Sequence, residues 1–134
     1  MRTRLHPIAV NAQAQATAEL LNGGFFDLMT GEQPVSTDEE VPDQWRLSRS
    51  TFGNVAFAAP RNGLLVANPI SKAIAVRTGK PTWCRCLTKD LIPVMDGSVG
   101  ATDANAITKV ATIVEGQIVN ISEFRHVIRS QEED

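Results

Sequence analysis

Residues 78–100, TGKPTWCRCLTKDLIPVMDGSVG, carry the pattern that decides the fold class. Between 82 and 87 the side chains alternate. Trp83, Arg85 and Leu87 fall on one face of an extended strand, and Thr82, Cys84 and Cys86 fall on the other. Lys89-Asp90 supplies a turn, and residues 91–95 form a second apolar run. Asp96-Gly97 then reads as a hairpin turn, because glycine reaches φ > 0 without a steric penalty. The stretch therefore predicts two or three short strands broken by turns.

The same texture extends in both directions. Residues 25–30 are apolar and strand-like and stop at Gly31. Residues 32–43, EQPVSTDEEVPD, are acidic, hold two prolines and lack periodicity, so they form a surface loop. Trp45, Leu47 and Arg49 alternate with Arg46 and Ser48 in another strand. Residues 52–62 are a small-residue connector, and 64–67 and 73–77 are short β-like pieces. Residues 107–114 alternate. Residues 117–129 alternate too but change phase near Glu123, the mark of a bulge or of two successive strands.

One segment differs. Residues 8–22 are rich in alanine, with Val10, Ala14, Thr17 or Ala18, and Leu21 on one stripe, followed by the Gly23-Gly24 stop. His6-Pro7 discourages helix before residue 8. Seven or eight short strands with turn signals every 8–12 residues predict an all-β fold. The expected form is an antiparallel β-sandwich or jelly-roll-like barrel with one short N-terminal helix. Its expected organisation is an arm and helix over 1–22 and a β-domain over 23–130.

A chain of 134 residues suits one domain and buries roughly 68–70% of its unfolded surface. The net charge of −2 offers no electrostatic reason to bind nucleic acid or an anionic membrane. No apolar run approaches the ~20 residues of a membrane span, and the basic start lacks the apolar core of a signal peptide. Cytoplasmic synthesis is the expectation.

No catalytic constellation is predicted. Cys84 and Cys86 lie about 7 Å apart along a strand, poor geometry for a disulfide. A structural zinc needs four ligands, and His6 and His126 have no ligand-like spacing to the cysteines. Asp38, Glu39 and Glu40 read as a solvated loop rather than a calcium site. The Gly-x-Ser-x-Gly, Walker A and Gly-x-Gly-x-x-Gly patterns do not occur. Trp83 beside Arg85 reads as a core anchor with a guanidinium stacked on it at the sheet edge. Expected catalytic residues, metals and cofactors are therefore none.

Several stretches together resemble a family of tailed-bacteriophage virion structural proteins. They are ELLNGGFFDLMTGEQP, LSRSTFGNVA with GLLVANPI downstream, GKPTWCRCL, VMDGSVG and IVEGQIVNISEFRHVI, spanning about residues 19–128. Cys84 and Cys86, flanking Arg85, stand outside that pattern. The resemblance implies a non-enzymatic head decoration or cement protein. Such a protein binds the major capsid protein lattice, often as a homotrimer, and resides in the virion after synthesis in the host cytoplasm. Neither nucleic acid nor membrane is an expected partner. Arg2, Arg4, Leu5, Ile8, Leu20 and Leu21, on the arm and helix, are the expected partner-binding residues. A tail-, neck- or fibre-associated adhesion module is the alternative. A small enzyme or ligand-binding domain is the third reading.

Overall fold

The computed structural model describes residues 7–101, 104–108 and 111–127. Among these residues the chain is mostly β, with a seven-stranded mixed sheet, a two-stranded ribbon and one short helix. In chain order these are α1 (Pro7–Leu20), β1 (Phe25–Met29), β2 (Arg46–Thr51), β3 (Leu64–Val66) and β4 (Ala73–Ile74). They continue with β5 (Trp83–Leu87), β6 (Pro93–Gly100), β7 (Ala106–Ile107), β8 (Ile118–Val119) and β9 (Glu123–Val127). A 3-10 turn, Asp43–Trp45, leads into β2. The large sheet runs β2-β1-β5-β6-β7-β9-β3, and β4 pairs with β8.

The sheet is curled. β1 and β9 are separated by β5, β6 and β7, so a flat sheet would hold them about 19 Å apart. Yet the rings of Phe26 on β1 and Phe124 on β9 meet edge to face at 5.4 Å. Phe52 and Phe57 join that cluster. Chain also runs along both outer strands. Ser71 and Val76 N–H donate to the Thr51 and Leu47 carbonyls beside β2, and Ala58 N–H donates to the Val66 carbonyl beside β3.

Strand register sorts the side chains into two faces. Phe26 and Leu28 pair with Cys86 and Cys84, and these four face the apolar core with Met95. Ser50 and Ser48, opposite Phe26 and Leu28 on β2, are also buried. Trp83, Arg85 and Leu87 share the other face, as the alternation predicts. All five residues of β5 are nevertheless buried, because that second face is covered as well.

The helix belongs to the core. Val10, Ala14, Ala18 and Leu21 are buried, which selects Ala18 over Thr17 for the predicted stripe. Asn11 and Asn22 side chains accept hydrogen bonds from Gly63 and Ala56 N–H across the fold, at 2.7 and 2.8 Å. Proline at the first helical position needs no N–H partner, so the helix starts at Pro7. Gly23, at φ +67°, ends the turn after it. A Cβ on Gly24 would stand 2.2 Å from the Leu87 carbonyl oxygen, so only glycine lets the helix exit press against β5.

Three expectations are corrected. Asp96-Gly97 is the middle of β6, not a turn. The Asn105 side chain lies over Gly97, where an added Cβ would crowd it at 3.2 Å. The β5–β6 turn falls at residues 88–92, with Leu91 at φ +67° and Thr88 accepting from the Asp90 and Ile92 amides. The sheet is not purely antiparallel, since β7 runs parallel to β6. β7 runs beside β6 in the same direction, anchored by Asn105 on Ser98 and on the Arg125 carbonyl. The strand expected over 107–114 is confined to Ala106–Ile107 and a bridge at Ile113, with residues 109 and 110 outside the described set.

Candidate functional site

Two surfaces stand out, one charged and covered, the other apolar and open. The first grows from the outer face of β5. Register places Arg49, Asp27, Arg85 and Asp96 in one row across β2, β1, β5 and β6, alternating in sign. Arg49 Nε and Nη2 donate to both Asp27 carboxylate oxygens at 2.8 Å. Arg85 Nε and Nη2 donate to Asp96 at 2.8 and 3.0 Å. Both are forked, charge-assisted pairs, the geometry that the planar guanidinium favours.

The row is shielded from above and below. Arg85 stacks over Trp83 at 5.3 Å and Arg49 over Phe25 at 5.4 Å. The third guanidinium donor of Arg85, Nη1, reaches the Glu39 carbonyl, so the acidic loop is tied down on the row by its backbone. Trp83 Nε1 donates to the Thr30 carbonyl, and Thr82 Oγ1 donates to that of Gly31. Gly31, at φ +88°, packs under Trp45, whose ring would lie 2.9 Å from an added Cβ. Arg85 is therefore central and buried, not at a sheet edge.

Burial differs along the row. The Arg85 and Asp96 side chains are 6% and 5% exposed, whereas Arg49 is 31% exposed over an Asp27 at 6%. The hydrogen bond to Asp27 raises the Arg49 pKa above its ordinary value, against the pull of partial burial. A groove of about 240 Å³ remains beside the row, between Arg46, Arg49 and residues 40–43. Its charges alternate in sign, so it favours neither an anion nor a cation.

On the core side, burial pushes the Cys86 thiol well above its usual pKa, and the adjacent Cys84 adds to this. Such a thiol is a poor nucleophile. Both cysteines are free. His126 lines an open groove of about 350 Å³ with Ser98, Asn105 and Arg125, and partial burial lowers its pKa. Among the described residues no three His, Cys, Asp or Glu side chains are grouped to hold a metal. No helix among them is long and apolar enough to cross a membrane.

The second surface is the β4–β8 ribbon. Ile74 and Ile118 are directly opposite each other and are 66% and 64% exposed. Val76 and Val114 beside them are about half exposed. Leu91 and Ile92 form a smaller exposed apolar tip on the β5–β6 turn.

The expected partner-binding residues divide three ways. Arg2, Arg4 and Leu5 lie outside the described residues. Ile8 and Leu20 are largely exposed on α1. Leu21 is fully buried against the sheet, and as a core residue it is not part of a surface. Sequence reading missed the ribbon. Its signal is the run AIAV at 73–76, whose alternation places Ile74 and Val76 together, but nothing local says which face is outward.

No known protein family, characterised protein or solved structure matches this chain.

Proposed function

We propose that this chain is a structural protein of a tailed-phage particle that seats on the major capsid protein lattice and reinforces the shell. The finer fold reading that goes with it is a jelly-roll-like barrel, supported by the curl of the sheet and the chain along both its outer strands. The observation that carries the functional reading is the contrast between a frame cross-tied by forked ion pairs and an exposed ribbon bearing Ile74 and Ile118, with the exposed Val76 and Val114 on the segments flanking it. A rigid body with an apolar docking face suits a protein whose task is to bury surface across a seam. Exposed apolar patches of this kind mark interaction sites. The resemblance to virion structural proteins supplies the partner and a trimeric assembly on the lattice.

The test is copy number and position in purified particles. The reading expects many copies at lattice symmetry and a particle that assembles without this protein but ruptures more easily. A handful of copies at one vertex would instead favour the tail- or neck-associated adhesion module.

A further inference from the structure

The β8 strand hydrogen-bonds to β4 on one side only. Ala75 N–H donates to the Gln117 carbonyl and Gly116 N–H donates to that of Ala75, both at 2.8 Å. These bonds set the phase of the ladder. Bonded and non-bonded pairs alternate in an antiparallel ribbon, so Ile74 and Ile118 form a non-bonded pair. The N–H and C=O of Ile118 consequently point away from β4. Among the described residues no backbone group bonds to them. The edge is also undefended. Residues 117–120 read Gln-Ile-Val-Asn, without the proline, lysine or inward charge that usually blocks edge pairing.

We infer that β8 pairs antiparallel with β8 of a second copy of this chain, about a two-fold axis at Ile118. Two features identify the occupant as a second copy. The edge is its own complement under a two-fold axis, because each Ile118 N–H then meets the other Ile118 carbonyl. The charges agree as well. Extending the register one residue past Ala73↔Val119 puts Lys72 opposite Asn120, and the Val114–Gln117 turn holds Glu115 at the other end of β8. Two-fold reversal carries Glu115 of each copy to the end where the second copy has Lys72. Lys72 is then two strand spacings, about 10 Å, from Gly116 of the second copy, beside which the exposed Glu115 stands. The pairing also joins the isoleucines into one row, Ile74–Ile118–Ile118–Ile74, across four strands.

This contact goes beyond the virion reading and is tested on purified protein without particles. The solution mass across a concentration series should be that of a dimer, or of a hexamer where the trimer implied by the resemblance also forms. Ile118→Lys, at an exposed position, should halve that mass while the far-UV circular dichroism and melting temperature of the protein remain those of a folded chain. Ile118→Cys should give a covalent dimer on oxidation, since paired Cα atoms about 5.5 Å apart lie within disulfide reach. Val35→Cys, on a residue 97% exposed in the acidic loop, is the control and should stay uncrosslinked. A wild-type monomer or trimer, a mass unmoved by Ile118→Lys, or equal crosslinking by both cysteine variants overturns the inference.

Discussion

The charged row and the β4–β8 ribbon invert the usual placement of side chains. Across β2, β1, β5 and β6, three charged side chains of the row are buried and the fourth, Arg49, is partly covered, with the acidic loop tied to Arg85. On the ribbon and the segments flanking it, two isoleucines and two valines are left in water. Composition cannot show this, since an arginine and an isoleucine count the same wherever they lie. The difference teaches that burial here follows register and partners. Arg85 is buried because three of its donors are matched by Asp96 and the Glu39 carbonyl. Ile118 is exposed because none of the described residues covers the outer face of its two-stranded ribbon.

Several substitutions would break or sharpen that contrast. The largest effect is expected from deleting residues 1–22, which strips Ala14, Ala18 and Leu21 from the core. The shortened chain should show no cooperative unfolding transition. A normal transition would put the helix with the exposed ribbon rather than with the buried frame, as an arm-and-domain division of the chain would have it. Arg85→Ala should cost about 3–5 kcal/mol in urea denaturation, because it leaves Asp96 buried and unpaired. Replacing both Arg85 and Asp96 with leucine should recover most of that loss. A loss below about 1 kcal/mol for the single variant, against that expectation, would mean the pair is open to water.

Arg49→Ala should cost less, about 1–2 kcal/mol, because a third of Arg49 is already exposed. Ile74→Ser and Ile118→Ser should each shift the unfolding free energy at low protein concentration by no more than about 0.5 kcal/mol. Losses comparable to that of Arg85→Ala would show the ribbon to be core.

The smallest effect is a pH dependence. Partial burial holds the folded His126 below the ordinary pKa near 6.5, so the unfolded chain binds the proton more readily. His126 therefore contributes stability above pH 6.5, lost as pH falls through 6.5 toward the folded value. His126→Gln should flatten that part of the stability profile, and an unchanged slope would assign it to other groups.

Much of the fold is legible in the sequence because alternation is a local signal. The faces of β5, the buried stripe of α1, the loop at 32–43 and the change of phase near Glu123, now the gap between β8 and β9, all follow from spacing. What is not legible depends on residues distant in sequence. Asp96-Gly97 has the composition of a turn, and only Asn105 lying across Gly97 shows why a small residue suits the strand there. The pairing of Arg49 with Asp27 spans 22 residues, and no periodicity announces it. Nor does the ribbon declare its open edge, because short apolar runs look alike whether a neighbour covers them or not.

The strand order has a consequence for how the chain is made. β1 sits between β2 and β5, so one of its edges stays unpaired until the residues of β5 have been synthesised. β3 has no sheet neighbour until β9, more than fifty residues later, arrives. Pairings of such long sequence separation are slow to form, and they leave apolar edges uncovered while the ribosome works. A nascent chain stopped before Glu123 would hold the four-strand block β2-β1-β5-β6 but lack Phe124, the ring that Phe26, Phe52 and Phe57 all touch. β9 is thus the latch of the fold, and a chain cut short before it would leave its aromatic centre open.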